Sequence, residues 1–308
     1  MIKKINVAIL GTGNIGTDLL FKTAKSPYLN CTLFSGRSNL SPGIKMIKKT
    51  ISKNKNKFKN LIVSSKSVQS LIKESNKFDI IFDCTSAIFH KKNEKIFKNL
   101  NKKIINLTPT QNGYMCIPVL NLDECNKSLE LNMVSCGAQS SVPVAYSLAK
   151  VFKKKIKYIE TVSTISSKSA GPATRLNLDE YIYNTQRAIT YFSGIKNAKA
   201  ILNLNPAVPY INMQTTTYAQ IKKKNINKSE LKKFKDVLKS TILKMTKYIK
   251  GHKMIIEPII TDNIISVKTS TIGRGDYLPK YAGNLDIINC AAIAAGEYYA
   301  KEKQKNNN

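Results

Sequence analysis

The sequence predicts an α/β protein that opens with a parallel-sheet, dinucleotide-binding domain. Three observations carry this. An apolar run at 5–10 stops at a glycine cluster. Further β-like runs then alternate with helical patterns through roughly the first 130 residues. After that the periodicity changes character.

The first run, Ile5 to Leu10, lacks a small-residue cleavage site and passes directly into Gly11, so it reads as a strand rather than a signal peptide. Gly11-Thr12-Gly13-Asn14-Ile15-Gly16 breaks it, and a helical stretch follows from Thr17 to Ala24. In G-x-G-x-x-G the first glycine makes the tight turn. The second lets backbone approach a pyrophosphate, and the third packs helix against strand. The helix N-terminus then offers N–H groups and a positive dipole end to phosphate. Cys31 to Phe34, Lys77 to Asp83 and Lys103 to Leu107 are the further strands of the series. After the second strand an acid is expected to hold the cofactor ribose. Here Ser35-Gly36-Arg37-Ser38 stands instead, so Arg37 is a candidate for a 2′-phosphate or for stacking on adenine, and the cofactor is NAD or NADP.

In the second half, Tyr158 to Ser166 and Ala200 to Leu204 read as strands and Asp179 to Phe192 as a helix. Lys228 to Lys250 carries Leu231, Phe234, Val237, Leu238, Ile242, Met245 and Ile249 at helical spacing. Asn227 or Ser229 is its cap and Gly251 its end. Met254 to Ile260 and Ile264 to Thr269 pair through a turn at Thr261-Asp262-Asn263, and a last helix runs from about Asn284 to Lys303.

The formal charge of +31 raises the question of nucleic acid. Almost all of it is lysine, spread over the chain, and the arginines are only Arg37, Arg175, Arg187 and Arg274. Arginine is the residue that grips phosphate and guanine bidentately, so a solvated lysine surface is expected and no specific nucleic-acid partner. No run approaches eighteen apolar residues, so no membrane span is expected either. The six cysteines include no Cys-x-x-Cys pair and there are only two histidines, His90 and His252. No metal site is expected, and a reducing, cytoplasmic compartment fits.

Cys136 is the candidate nucleophile. A strand is expected to end at it and a helix to begin soon after, with Ser140 or Ser141 as cap and Pro143 in the first turn. A thiol before a helix N-terminus feels the positive dipole end, which lowers its pKa. The other five cysteines read as small buried hydrophobes.

Several segments carry a resemblance. They are Gly13-Asn14-Ile15-Gly16-Thr17-Asp18-Leu19, Phe82-Asp83-Cys84-Thr85-Ser86-Ala87, Asn106-Leu107-Thr108-Pro109 and Ile117 to Leu122. Further on come Asn132-Met133-Val134-Ser135-Cys136-Gly137, Lys168 to Arg175, Asn205-Pro206-Ala207 and Leu278 to Ile287. In this order they resemble the acetylating acetaldehyde dehydrogenases, over nearly the whole chain. The resemblance implies a Rossmann domain at 1–130. It implies a catalytic and dimerisation domain at 131–283, related to the glyceraldehyde-phosphate and aspartate-semialdehyde dehydrogenases, and a helix at 284–308 that packs back on the first domain.

The same resemblance implies the roles. Cys136 is the nucleophile, with Asn284 as a donor to the developing oxyanion. Gly11, Thr12, Gly13, Asn14, Ile15 and Gly16 form the pyrophosphate turn. Ser169, Ala170, Gly171, Pro172, Arg175 and Asn284 lie around the nicotinamide end. The implied reaction takes acetaldehyde, coenzyme A and NAD, or NADP, to acetyl-CoA through a thioester, as in aromatic hydrocarbon catabolism. A homodimer and a 4-hydroxy-2-oxovalerate aldolase partner are implied too. The chain departs from the family pattern at Ser38 and at Asn212-Met213-Gln214-Thr215, where the family often carries an acid. Neither histidine replaces the second acid: His90 starts a helix and His252 follows one, positions that are more often structural or exposed. Another cysteine-dependent aldehyde dehydrogenase, or an inactive Rossmann scaffold, are the alternatives.

Overall fold

A computed structural model of the chain describes residues 3–53, 58–171, 174–175, 177–222 and 226–306. It divides into two compact units. The first comprises Met1–Cys116, Asn121–Met133 and Asn289–Asn308; the second comprises Ile117–Leu120 and Val134–Ile288.

In the first unit seven strands form one parallel sheet: β1 (Ile5–Leu10), β2 (Leu29–Ser35), β3 (Ile62–Ser64), β4 (Ile80–Asp83), β5 (Lys103–Asn106), β6 (Tyr114–Met115) and β7 (Glu130–Asn132). Their order is β3-β2-β1-β4-β5-β7-β6. This is the predicted Rossmann-like arrangement, and its reversal between β1 and β4 puts the glycine turn at the crevice where such sheets bind ligands. The strands read as unbroken apolar runs because helices cover both faces; Val7 to Leu10 are wholly buried. Helices α1 (Asn14–Lys25), α2 (Pro42–Lys53), α3 (Val68–Lys73), α4 (Ala87–Lys92) and α5 (Glu94–Leu100) connect the first five strands. On one side Leu10, Leu33, Leu71, Phe78, Ile81 and Phe97 form a single apolar cluster. α6 (Pro118–Asn126) kinks at Asn121, where the boundary between the units falls.

In the second unit a five-stranded sheet has the order β11-β12-β10-β8-β9, formed by β8 (Ile156–Ser166), β9 (Ala198–Asn205), β10 (Met213–Ile221), β11 (His252–Thr261) and β12 (Ile264–Thr271). All neighbours are antiparallel except β8 and β9. Helices α7 (Cys136–Phe152), α8 (Leu178–Ser193) and α9 (Lys228–Thr246) accompany it, and α7 packs between α8 and α9 over β10. α10 (Gly283–Lys305) starts in this unit, and from Asn289 onward belongs to the first. There Asn289 Nδ2 donates to Asp18 Oδ2 at 2.8 Å, Ser26 Oγ to Glu297 at 2.6 Å and Lys303 Nζ to Asp79 at 2.7 Å. Among the described residues no helix is long and apolar enough to cross a membrane.

Three local expectations need correction. The helix after β7 begins at Cys136 itself: its cap is Ser135, whose Oγ accepts from Ala138 N at 2.9 Å, and Pro143 lies well inside it. Ser140 and Ser141 are interior and buried. The long helix ends at Thr246 rather than Lys250, and Gly251 serves a close approach to the Ile272 backbone. β10 was not expected at all. Its buried face contains Thr215 and Thr217, β-branched residues that fit a pleated sheet but look polar in a hydropathy pattern. The lysine surface also has exceptions. Lys22 is buried 3.1 Å from Asp18. Lys103 is buried and caps the chain after α6, donating to the carbonyls of Cys125 at 2.8 Å, Asn126 at 3.3 Å and Ser128. Burial lowers its pKa to about 8.

Candidate active site

The first unit carries a glycine-rich cradle between β1 and α1. Gly11 has φ +104°, and a side chain there would strike the Cys84 carbonyl; Gly16 packs onto the Gly11 backbone. Gly13 caps α1 with no side-chain hydrogen bond, and the space where its Cβ would stand is open. The first-turn N–H groups of Asn14, Ile15 and Gly16 thus receive no side-chain cap from Gly13, an arrangement that fits an anion such as a pyrophosphate. Thr12 ties this turn to the loop after β2: its Oγ1 lies 2.8 Å from Ser41 Oγ and against Gly36. Arg37, directly beyond, is exposed.

Next to the cradle, β4 ends in a buried polar network. Asp83 Oδ1 accepts from Thr85 N at 2.9 Å and Thr85 Oγ1 at 2.6 Å. Its Oδ2 lies 2.8 Å from His90 Nδ1, while His90 Nε2 lies 3.1 Å from Glu130 Oε1. Burial opposes the charged ring, but the two carboxylates prevail and hold its pKa up to about 9. His90 is wholly buried in this network. His252, first residue of β11, is buried too. Its Nδ1 lies 2.9 Å from Thr271 Oγ1, and desolvation lowers its pKa to about 4.

In the second unit the chain turns at Val134, φ +62°, an unusual conformation for a β-branched residue, and enters α7. Cys136 is the first helical residue and partly open to solvent. Crowding around its sulfur raises the thiol pKa to about 11. The Tyr181 hydroxyl and the N–H groups of Gly137 and Cys136 act against that and lose. The helix end works in the expected direction, then, and desolvation outweighs it. Tyr181, buried on α8, has its hydroxyl 4.0 Å from Cys136 Sγ. α8 is tied to the cap of α7: Thr185 Oγ1 lies 2.7 Å from Ser135 Oγ and donates to the Tyr181 carbonyl at 2.7 Å.

The remaining candidates fall on two segments. After β8, Ser169 Oγ donates to Ser166 O at 2.7 Å. Arg175 donates to Ala170 O at 3.1 Å, Ser167 O at 3.0 Å and Ser167 Oγ at 2.9 Å, so its guanidinium organises its own loop. Gly171 opens onto free space, and Pro172 lies outside the described residues. Asn284, in the first turn of α10, is buried, and its Oδ1 meets no hydrogen-bond donor among the described residues. The preceding Gly283 packs on the Thr271 carbonyl at the end of β12, the strand whose Thr269 Oγ1 lies 3.3 Å from Ser140 Oγ, one turn along α7 from Cys136.

Residues 136–279 match the family model described as prokaryotic acetaldehyde dehydrogenase, dimerisation; the match begins at Cys136. Relatives named acetaldehyde dehydrogenase align over nearly the whole chain. That of Spirochaeta aurantia is 45% identical, covering 97% of this chain and 96% of its own. That of Pectobacterium atrosepticum is 42% identical over 96% and 95%, and that of Geobacillus stearothermophilus 37% over 98% of each. The chain belongs to the acetaldehyde dehydrogenase family. For this family member, reading the sequence missed Tyr181 beside Cys136, Thr185 on its helix cap and Ser163 close to Gly137. Tyr181 and Thr185 are four apart on a helix, a spacing that marks a shared face. Which face meets Cys136 is decided only by packing.

Proposed function

We propose that the protein is a CoA-acylating aldehyde dehydrogenase, converting acetaldehyde, coenzyme A and NAD or NADP to acetyl-CoA through a thioester on Cys136. The observation that carries this is the setting of Cys136: first residue of α7, partly open to solvent, its sulfur 4.0 Å from the Tyr181 hydroxyl, in a chain of the acetaldehyde dehydrogenase family. In this reading the Cys136 thiolate adds to the aldehyde carbon. Backbone N–H groups near Cys136 and the Asn284 carboxamide hold the oxyanion that forms, a kind of donor whose loss typically costs about 3 kcal/mol of barrier. Covalent capture divides one hard step into two easier ones. A bound nicotinamide supplies the hydride acceptor. Gly11 to Gly16 would hold its pyrophosphate, Arg37 its adenosine end, and Ser169 to Arg175 with Asn284 its ring. Coenzyme A thiolate then attacks the acyl carbon, and Cys136 leaves as the thiolate that began the cycle.

The dimerisation match supports a homodimer. So does β11, which leaves Ile255, Ile256, Ile259 and Ile260 exposed. An aldolase partner that supplies acetaldehyde, and a cytoplasmic location, complete the proposal.

The test is to incubate the enzyme with acetaldehyde and oxidised cofactor, without coenzyme A, and to analyse the digest by mass spectrometry. An acetyl group on the Cys136 peptide is expected, and Cys136→Ala should abolish oxidation. An adduct on Cys84, Cys116 or Cys290, or near-normal turnover of Cys136→Ala, would mean another thiol does the work.

A further inference from the structure

We propose that Tyr181 is a catalytic residue: its phenol donates a hydrogen bond to the Cys136 sulfur and stabilises the thiolate that attacks the aldehyde. The inference rests on Cys136 being the nucleophile and adds a residue whose role comes from the geometry alone.

The hydroxyl oxygen of Tyr181 is 4.0 Å from Cys136 Sγ, within hydrogen-bond reach of a sulfur. What decides the direction of the bond is the ionisation of the sulfur. The neutral thiol donates to the phenol oxygen. A thiolate has no proton and can only accept, so the single phenol proton turns to Sγ once the thiol has ionised. The phenol oxygen is held there against Gly137 in the first turn of α7, with Ser163 of β8 close by. The thiol proton leaves to solvent, to which Cys136 is partly open, and Tyr181 keeps its own. It remains a donor at neutral pH, because burial first, and the neighbouring Cys136 charge next, keep its pKa well above the usual phenol value.

The position is held from several sides. Ser163 Oγ lies 3.1 Å from Thr215 Oγ1 on the neighbouring strand, so the serine near the Tyr181 hydroxyl is itself held in place. Thr215 stands in the segment Asn212 to Thr215, where the family often carries an acid. Gly137 completes the fit: any Cβ there would overlap the Tyr181 hydroxyl, so that hydroxyl occupies the space a side chain would need. Ser135 and Thr185 fix the two helices to each other at the same level. A sulfur this crowded has few donors to support its charge. Removing one of them should be felt.

Tyr181→Phe removes only the hydroxyl and keeps the ring in its packing. The rate of Cys136 alkylation by iodoacetamide, read on the Cys136 peptide at about pH 8, should fall about tenfold, equivalent to one unit of thiol pKa. The kcat/KM for acetaldehyde should fall by a similar factor, about tenfold, while KM for the nicotinamide cofactor is unchanged. Ser163→Ala, which leaves the phenol in place but removes the hydroxyl near it, should give a smaller loss in the same direction. Cys136→Ala separates the two ideas. If it still turns over, the nucleophile is wrong and this proposal falls with it. If it is inactive while Tyr181→Phe matches the wild type in alkylation and turnover, or reacts faster, the thioester stands and the role of Tyr181 is overturned.

Discussion

At Gly137 a single hydrogen atom, where other residues carry a side chain, leaves room for the hydroxyl beside Cys136. Gly137→Ala should improve helix propensity locally and still destabilise, by about 1–3 kcal/mol, because overpacking against a buried ring outweighs a fraction of a kcal/mol of propensity. Denaturant unfolding measures it. The double variant Gly137→Ala/Tyr181→Phe should recover part of the stability and none of the activity. Arg37 belongs to the same scale. It is exposed just beyond β2, in a loop without an acid. Arg37→Ala should lower kcat/KM with NADP about tenfold or more, since a hydrogen bond to a charged group is worth about 1.5–3 kcal/mol. The value with NAD should hardly move. Equal losses with both cofactors would place Arg37 away from the 2′ position.

Among elements, α7 is held at its start by one serine. Ser135→Ala should cost about 1 kcal/mol as a lost cap. It also releases Thr185, so the reactivity of Cys136 should fall with the stability. The β4 end behaves differently, because its stability depends on pH. His90 titrates at about 9 when folded, against an ordinary value of 6.5. Its pairing with Asp83 and Glu130 therefore stabilises fully below pH 6.5 and loses that contribution as pH rises through about 9. The full span corresponds to about 3 kcal/mol at most. Unfolding measured at about pH 6.5 and about pH 9.5 should show this decline in the wild type and a flatter profile in His90→Gln. Sequence alone showed the histidine after a strand end. That it lies between two carboxylates depends on β4 and β7 being separated by one strand in the sheet, a long-range arrangement that no local pattern encodes.

For the molecule as a whole, light scattering should give twice the 34.4 kDa chain mass if the homodimer forms. A charge of +31 carried by scattered lysines should give only weak, sequence-independent binding to duplex DNA, with Kd on the order of 10⁻⁴–10⁻⁶ M at physiological salt and lost as salt rises. Nanomolar binding to one sequence would overturn the view of that charge as a solvated surface.

The sequence by itself determined the parallel sheet of the first unit and its glycine turn. Buried parallel strands are unbroken apolar runs, and the turn needs glycine at fixed offsets, so both are written in neighbouring residues. It singled out Cys136 as well. Tertiary structure alone decided how that thiol is set. Sequence placed it before a helix and expected a lowered pKa; packing made it the first residue of the helix and surrounded the sulfur, so that desolvation overrides the dipole. Tertiary structure likewise revealed β10, whose threonines hide a buried face, and brought Tyr181 of α8 to the Cys136 sulfur and Ser163 of β8 to Thr215 of β10. The reason is range. Strand and turn patterns are local, whereas burial and hydrogen-bond partners arise between residues about 20 to 80 positions apart, which come together only when the sheet and its helices close.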